Sequence, residues 1–240
     1  MGQTRTQSIE IASISLDLLA KIWEIHRRLS EVYGDHPAQP HGKPIEELVN
    51  TILSQNTNDR NRDIAFARLR EHFPTWEAVR DAPAADVIRS IRPAGLAPSK
   101  GPHIQEALRA ITEAQGELSL EFLRDIPLEE ARAWLLNLNG VGPKTAAIVL
   151  LFALGRPTFP VDTHVHRVSL RLGLIPDNTS REKAHLLLEA LVPPELYYPL
   201  HLNLIFHGRQ VCRARLPECE KCPLQDMCVY YSRRSKEKSS

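Results

Sequence analysis

Between Leu136 and Val168 the chain reads LNLNGVGPKTAAIVLLFALGRPTFPVDTHVHRV. Two residues in it could do chemistry together. Lys144 stands just behind a Gly-Val-Gly turn, at the mouth of an apolar helix, and Asp162 follows soon after that helix ends. An ammonium in the first helical turn would sit at the positive end of the helix dipole, which disfavours its charge. A partly neutral amine is a nucleophile, and a nearby carboxylate could help remove its proton.

The turn itself could hold an anion. Gly140 and Gly142 offer positions where φ can be positive and another backbone can come close. Pro143 suits a first helical turn, where its missing N–H costs nothing. The amides of Val141, Gly142 and Lys144 would then point outward, towards a single phosphate. The same spacing also suits an ordinary helix–turn–helix connection, and a lysine there commonly does no more than pair with phosphate.

The second constellation is Cys212, Cys219, Cys222 and Cys228, spaced C-x6-C-x2-C-x5-C, and these are the only cysteines of the chain. With none left elsewhere to pair across a fold, their clustering argues against a disulfide scaffold. Four thiolates suit either a tetrahedral zinc ion or a [4Fe–4S] cluster. By spacing alone zinc is slightly favoured.

The elements that must carry these residues are helical. Of 240 residues, 42% are hydrophobic, 25% charged and only 6% aromatic. Apolar residues recur at helical spacing over 16–32, 46–53, 59–72, 74–79, 84–91, 103–114, 128–138, 144–154, 162–172, 181–191 and 194–208. GDHPAQPHGKP and RPAGLAPSKG read as loops, and Trp23, Trp76 and Trp134 read as core. The net charge of +1 does not by itself indicate a nucleic-acid partner, although the region after Ile205 is rich in Arg and Lys. The first residues, MGQTRTQSIE, lack an apolar stretch, and 146–154 is too short to span a bilayer. The expectation is a cytoplasmic protein, nucleoid-associated if prokaryotic, with no membrane partner.

LNGVGPKTAAIVL followed by FPVDTHVHRV resembles the helix-hairpin-helix and Gly/Pro-Asp signature of the base-excision DNA glycosylase superfamily, and in particular the endonuclease III family. The likeness runs from about Leu16 to Tyr231. It implies that Lys144 is the nucleophile and Asp162 its acidic partner. It also reverses the preference at the cysteines: their spacing after His207-Gly208-Arg209 is similar to the family's iron–sulfur loop, which implies a [4Fe–4S] cluster, with Zn2+ the alternative. A closed four-cysteine site has no free coordination position, so its expected use is to fix a loop carrying Arg213 and Arg215 against a phosphate backbone. The family usually has a further basic residue where this chain has Leu216.

The resemblance also implies base flipping, in which the target nucleotide leaves the stack and side chains fill the hole. SQNTND carries one filling loop, with Gln55 and Asn56; an ungapped match puts Asn56 at the filling position, where the family has Gln. Leu96 matches the second wedge, with Ser99 and Lys100 near the DNA backbone. SQNTND is equally a set of helix-capping residues. His164 falls where the family has a histidine close to the backbone, alongside the hairpin contacts of Gly140, Val141 and Gly142. Arg167 reads as a structural ion-pair residue.

The expected fold is all-α and two-lobed. A six-helix barrel with the hairpin spans 44–156. A cluster domain combines 15–43 with 157–232, and 1–14 and 233–240 are disordered. DNA would lie in a cleft with Lys144 and Asp162 at its floor. The expected function is a monomeric, bifunctional glycosylase and AP lyase acting on duplex DNA with damaged bases, oxidised pyrimidines above all, or abasic sites. Two alternatives stand beside it: a glycosylase for mismatched or alkylated bases on the same fold, and a non-catalytic, metal-stabilised DNA-binding module.

Overall fold

A computed structural model describes residues 16–239, and for 237–239 the backbone alone. The expectation for 1–14 lies outside the described residues. In chain order the helices are α1 (Leu16–Tyr33), α2 (Pro44–Ser54), α3 (Asp59–His72), α4 (Trp76–Asp81), α5 (Ala84–Ser90), α6 (Ala97–Gln115), α7 (Leu128–Leu136), α8 (Pro143–Ile148), α9 (Thr163–Leu172), α10 (Arg181–Leu191), α11 (Tyr197–Gln210) and α12 (Val229–Ser239). Short 3-10 turns link several of them, and among the described residues every regular element is helical.

The chain divides into two compact units, one of 37–160 and one that joins the chain up to His36 with the chain from Val161. The boundaries fall at 36/37 and 160/161, rather than at the 43/44 and 156/157 expected from the sequence. The first unit holds the seven helices α2 to α8, where a six-helix barrel was expected; the two short helices read over 74–79 and 84–91 are α4 and α5. Its core is built from apolar stripes. Ile104, Leu108 and Ile111 lie along one face of α6, and Leu48, Ile52 and Leu53 along α2; all six are fully buried. Removing one such leucine to alanine typically costs about 2–5 kcal/mol.

Three sequence expectations change here. The stretch 92–101 is not a loop throughout, since α6 begins at Ala97. Pro98 sits in its first turn, where no N–H is needed, and Gly101 allows contact with Ile88, which a Cβ would approach to 2.8 Å. The helix expected over 144–154 turns from α-helical to π-helical at Val149–Ala153. The Thr158 hydroxyl donates to the Ala147 carbonyl of α8, at 2.8 Å. Trp76 and Trp134 pack against the core as expected, but Trp23 is 42% exposed on α1.

In the other unit α11 packs on both α1 and α9. Gly208 makes the approach to α9 possible: a Cβ there would stand 2.8 Å from His164 Cβ. Helix α12 runs through 229–239, so the disorder expected from 233 is replaced by helix up to Ser239. No helix of the described residues is long and apolar enough to cross a membrane.

The hairpin between α7 and α8 gives the first test. Gly140 has φ +79°, and a Cβ there would lie 2.8 Å from the Cβ and ring of His103. Gly140→Ala therefore combines left-handed strain with a clash. A loss of about 1–3 kcal/mol is expected in thermal denaturation, and an unchanged Tm would contradict this account of the turn.

Candidate active site

Lys144 is held in the unit of 37–160. It is half-buried in the first turn of α8. The first intrahelical bond runs from Ala146 N–H to Gly142 C=O, at 3.0 Å. Helix geometry gives the amides ahead of that bond no intrahelical carbonyl. The expectation for Val141 is corrected: its amide donates to Leu138 C=O at 3.1 Å, closing the turn rather than facing outward. Gly142 has an ordinary φ of −101°, and a Cβ there would meet nothing within 4 Å. Of the two glycines, Gly140 answers the backbone's need.

The side chain of Lys144 reaches Ser54, with Nζ 3.5 Å from Oγ. The Ser54 hydroxyl donates to Thr51 C=O at 2.7 Å, which turns its lone pairs towards the amine. The next residue, Gln55, donates from Nε2 to Gly140 C=O at 3.0 Å. The end of α2 thus touches both the lysine and its turn. Sequence reading missed Ser54, which carries no periodic signal, and Gln55 here serves the hairpin.

Asn56 is exposed with φ +52°, in the left-handed region. Asparagine tolerates that region better than most residues. Asn58 accepts from Asn61 N–H at 2.9 Å and caps α3. The two readings of SQNTND therefore describe different residues of one loop. Leu96 stands at the head of α6, 57% exposed, with φ +50°. A leucine held exposed in this conformation is costly on both counts.

Lys100 corrects the sequence reading. It is only 2% exposed. Its Nζ donates to Leu53 C=O at 2.7 Å and Ala94 C=O at 2.9 Å. Burial pushes its pKa down. A side chain spent on two internal carbonyls is not a phosphate contact.

Asp162 belongs to the other unit, where it caps α9. Its Oδ1 accepts from both His164 N–H, at 2.8 Å, and Val165 N–H, at 2.7 Å. The cap uses that one oxygen and leaves Oδ2 out of it. Burial is the main cause that lowers the pKa of His164, and Arg167 Nη2 lies 3.1 Å from its Nδ1. Arg167 is structural, as expected, but by donating to the carbonyls of Cys212 at 3.0 Å and Gly208 at 2.8 Å rather than through an ion pair.

The four cysteines follow α11, and none of them is in a disulfide. Burial raises the pKa of Cys219 and Cys228 and pushes Cys222 up to about 11; the neighbouring cysteines add to each shift. The thiols are thus close enough to feel one another's charge. Donors already face the sulfurs: Arg171 Nη1 is 3.3 Å from Cys212 Sγ, Leu224 N–H 3.4 Å from Cys222 Sγ, and His207 Nε2 3.6 Å from the same sulfur. Arg171 also donates to the carbonyls of Arg213 and Ala214 and stacks 4.6 Å over Tyr230. Its organising role was missed in the sequence because it lies in a helix far from the cysteines. Arg215 and Leu216 are exposed, Leu216 at 84% with φ +50°. Arg213 pairs with Glu218 at 3.1 Å. Among the described residues, no three His, Cys, Asp or Glu side chains form a single-ion site.

A family model described as the HhH-GPD superfamily of base excision DNA repair proteins matches residues 49–194. The chain is 35% identical to endonuclease III of Thermotoga maritima over 80% of its own length and 86% of that protein. It is 35% identical to endonuclease III of Escherichia coli over 88% and 96%, respectively. It is 37% identical to a putative DNA glycosylase of Arabidopsis thaliana over 75% of its own length, and it spans 64% of that longer protein. A solved endonuclease III trapped as a covalent intermediate with DNA superposes with a TM-score of 0.78 at 31% identity, covering 90% of this chain and 98% of that one.

The contact from Gln55 to the turn yields a test. Gln55→Leu removes one internal hydrogen bond, worth about 1 kcal/mol. The amides of 140–144 are expected to exchange hydrogen faster, as read by mass spectrometry, while α12 exchanges as before. Unaltered exchange at the hairpin would show that Gln55 does not hold it.

Proposed function

We infer the activity from one premise: this chain belongs to the HhH-GPD superfamily of base excision DNA repair proteins, and within it to the endonuclease III family. It is a DNA glycosylase and AP lyase of duplex DNA. The observation that carries the reading is Lys144 at the start of α8, behind the Gly140 turn, with its amine against Ser54.

In the proposed reaction the nucleotide is taken out of the stack, with Asn56 and Leu96 filling the space it leaves. The Lys144 nitrogen attacks C1′. The N-glycosidic bond breaks, and its electron pair departs with the base, which is protonated. Asp162 offers Oδ2 to the positive charge developing on the sugar and to the proton leaving the lysine. Loss of the ring C–O bond gives an imine between Lys144 and C1′. Removal of a C2′ proton then expels the 3′ phosphate, and the strand is nicked on that side. The turn amides at the head of α8 hold a backbone phosphate, and His164 and Arg215 add contacts that do not read sequence.

The cysteine loop fits a [4Fe–4S] cluster. The donor set is four thiols gathered on one loop, a set that would suit such a cluster. A cationic group would draw the four thiols to thiolates, which Arg171, His207 and the Leu224 amide are placed to support. The cluster's contribution when bound is to fix the loop rather than to react. Broad visible absorbance would support it over zinc.

Oxidised pyrimidines are the proposed substrate. A thymine-glycol duplex and an abasic duplex, each treated with borohydride, are expected to yield a covalent adduct with wild type. Lys144→Ala should bind DNA and give none. Absence of the wild-type adduct would remove the lyase half of this reading, and adducts only with mismatched or alkylated duplexes would replace the substrate.

A further inference from the structure

We propose that Lys100 is a positioning residue that ties the two base-displacing loops together, so that Asn56 and Leu96 enter the duplex as a fixed pair. The inference rests on the displacement reading given above. Lys100 is almost wholly buried. Its ammonium donates to Leu53 C=O, on the approach to Asn56, and to Ala94 C=O, on the approach to Leu96. Its own backbone N–H donates to Leu96 C=O at 2.9 Å. One residue therefore grips both approaches and the leucine itself.

Two features argue that the grip has a purpose beyond packing. A buried ammonium carries a large desolvation cost, and a methionine would fill the same space without it. What the ammonium adds is direction, since it can bind two carbonyls on different elements at once. The second feature is that both displayed residues are non-glycine residues at positive φ, Asn56 at +52° and Leu96 at +50°. Such conformations persist only where the surroundings over-determine them, and Lys100 supplies part of that determination on each side. Opening a base step costs energy that the inserted side chains must bear. Two loops free to part would yield under it; two loops sharing one cation would not.

The test uses the full-length protein and a duplex with 2-aminopurine beside an abasic-site analogue. The rise in fluorescence reports extrusion, and anisotropy on an undamaged duplex reports binding. Lys100→Met is expected to slow extrusion about tenfold, equivalent to ~1.4 kcal/mol of barrier, with unchanged affinity for the undamaged duplex. Lys100→Arg should recover part of the rate. In an Asn56→Ala, Leu96→Ala background, Lys100→Met should cost nothing further, because the pair it aligns is gone. Wild-type extrusion by Lys100→Met, or an equal loss in that background, would overturn the proposal. If Lys100→Met does not fold, Lys100→Arg, which keeps the charge and alters the reach, carries the same comparison. Wild type that gives no fluorescence rise would overturn the displacement reading, and the tether with it.

Discussion

A helix that ends inside a protein leaves carbonyls that must find donors, and the end of α2 meets that demand with the residues that build the site. Thr51 C=O receives the Ser54 hydroxyl, Ile52 C=O the Gln55 amide, and Leu53 C=O the Lys100 ammonium. A cation at a helix C-terminus is also favoured by the dipole. Once these carbonyls are satisfied, the directions of the next side chains follow. Ser54 meets Lys144, Gln55 holds the hairpin at Gly140, and Asn56 stands clear in the left-handed region. The backbone accounting and the placement of the lysine are one arrangement.

The unit that carries Asp162 obeys a similar economy. Asp162 spends Oδ1 on two amides of α9 and keeps Oδ2 outside the cap. A few residues further along, Arg167 and Arg171 reach the chain that follows α11, the first through Cys212 C=O and the second through Cys212 Sγ and the carbonyls of Arg213 and Ala214. The helix that begins at the acid therefore also binds the start of the thiol loop. Arginine suits this role because its fork donates to several acceptors at once.

Much of this was legible in the sequence. The apolar periodicity located most helices, because a stripe at i, i+3 and i+4 has few other uses. The lysine behind its glycine turn and the four clustered cysteines were visible because their residue types and spacing are rare together. The failures share a cause. Lys100 reads as a surface cation because most lysines are, and only three dimensions show two carbonyls converging on it. Pro98 and Gly101 read as breakers, although the first falls where a helix start tolerates proline and the second where α5 presses close. Trp23 reads as core by its type, yet its face of α1 is open. Ser54 and Arg171 act through partners distant in the chain, so no local pattern marks them.

The central claim is that the amine held at the end of α2 is the group that bonds to the DNA. Peptide mapping by mass spectrometry of the borohydride-reduced adduct tests it most directly, because it reads the bonded residue itself. The account predicts one modified peptide, with the deoxyribose remnant on Lys144. A remnant on any other lysine or on the terminal amine would contradict it.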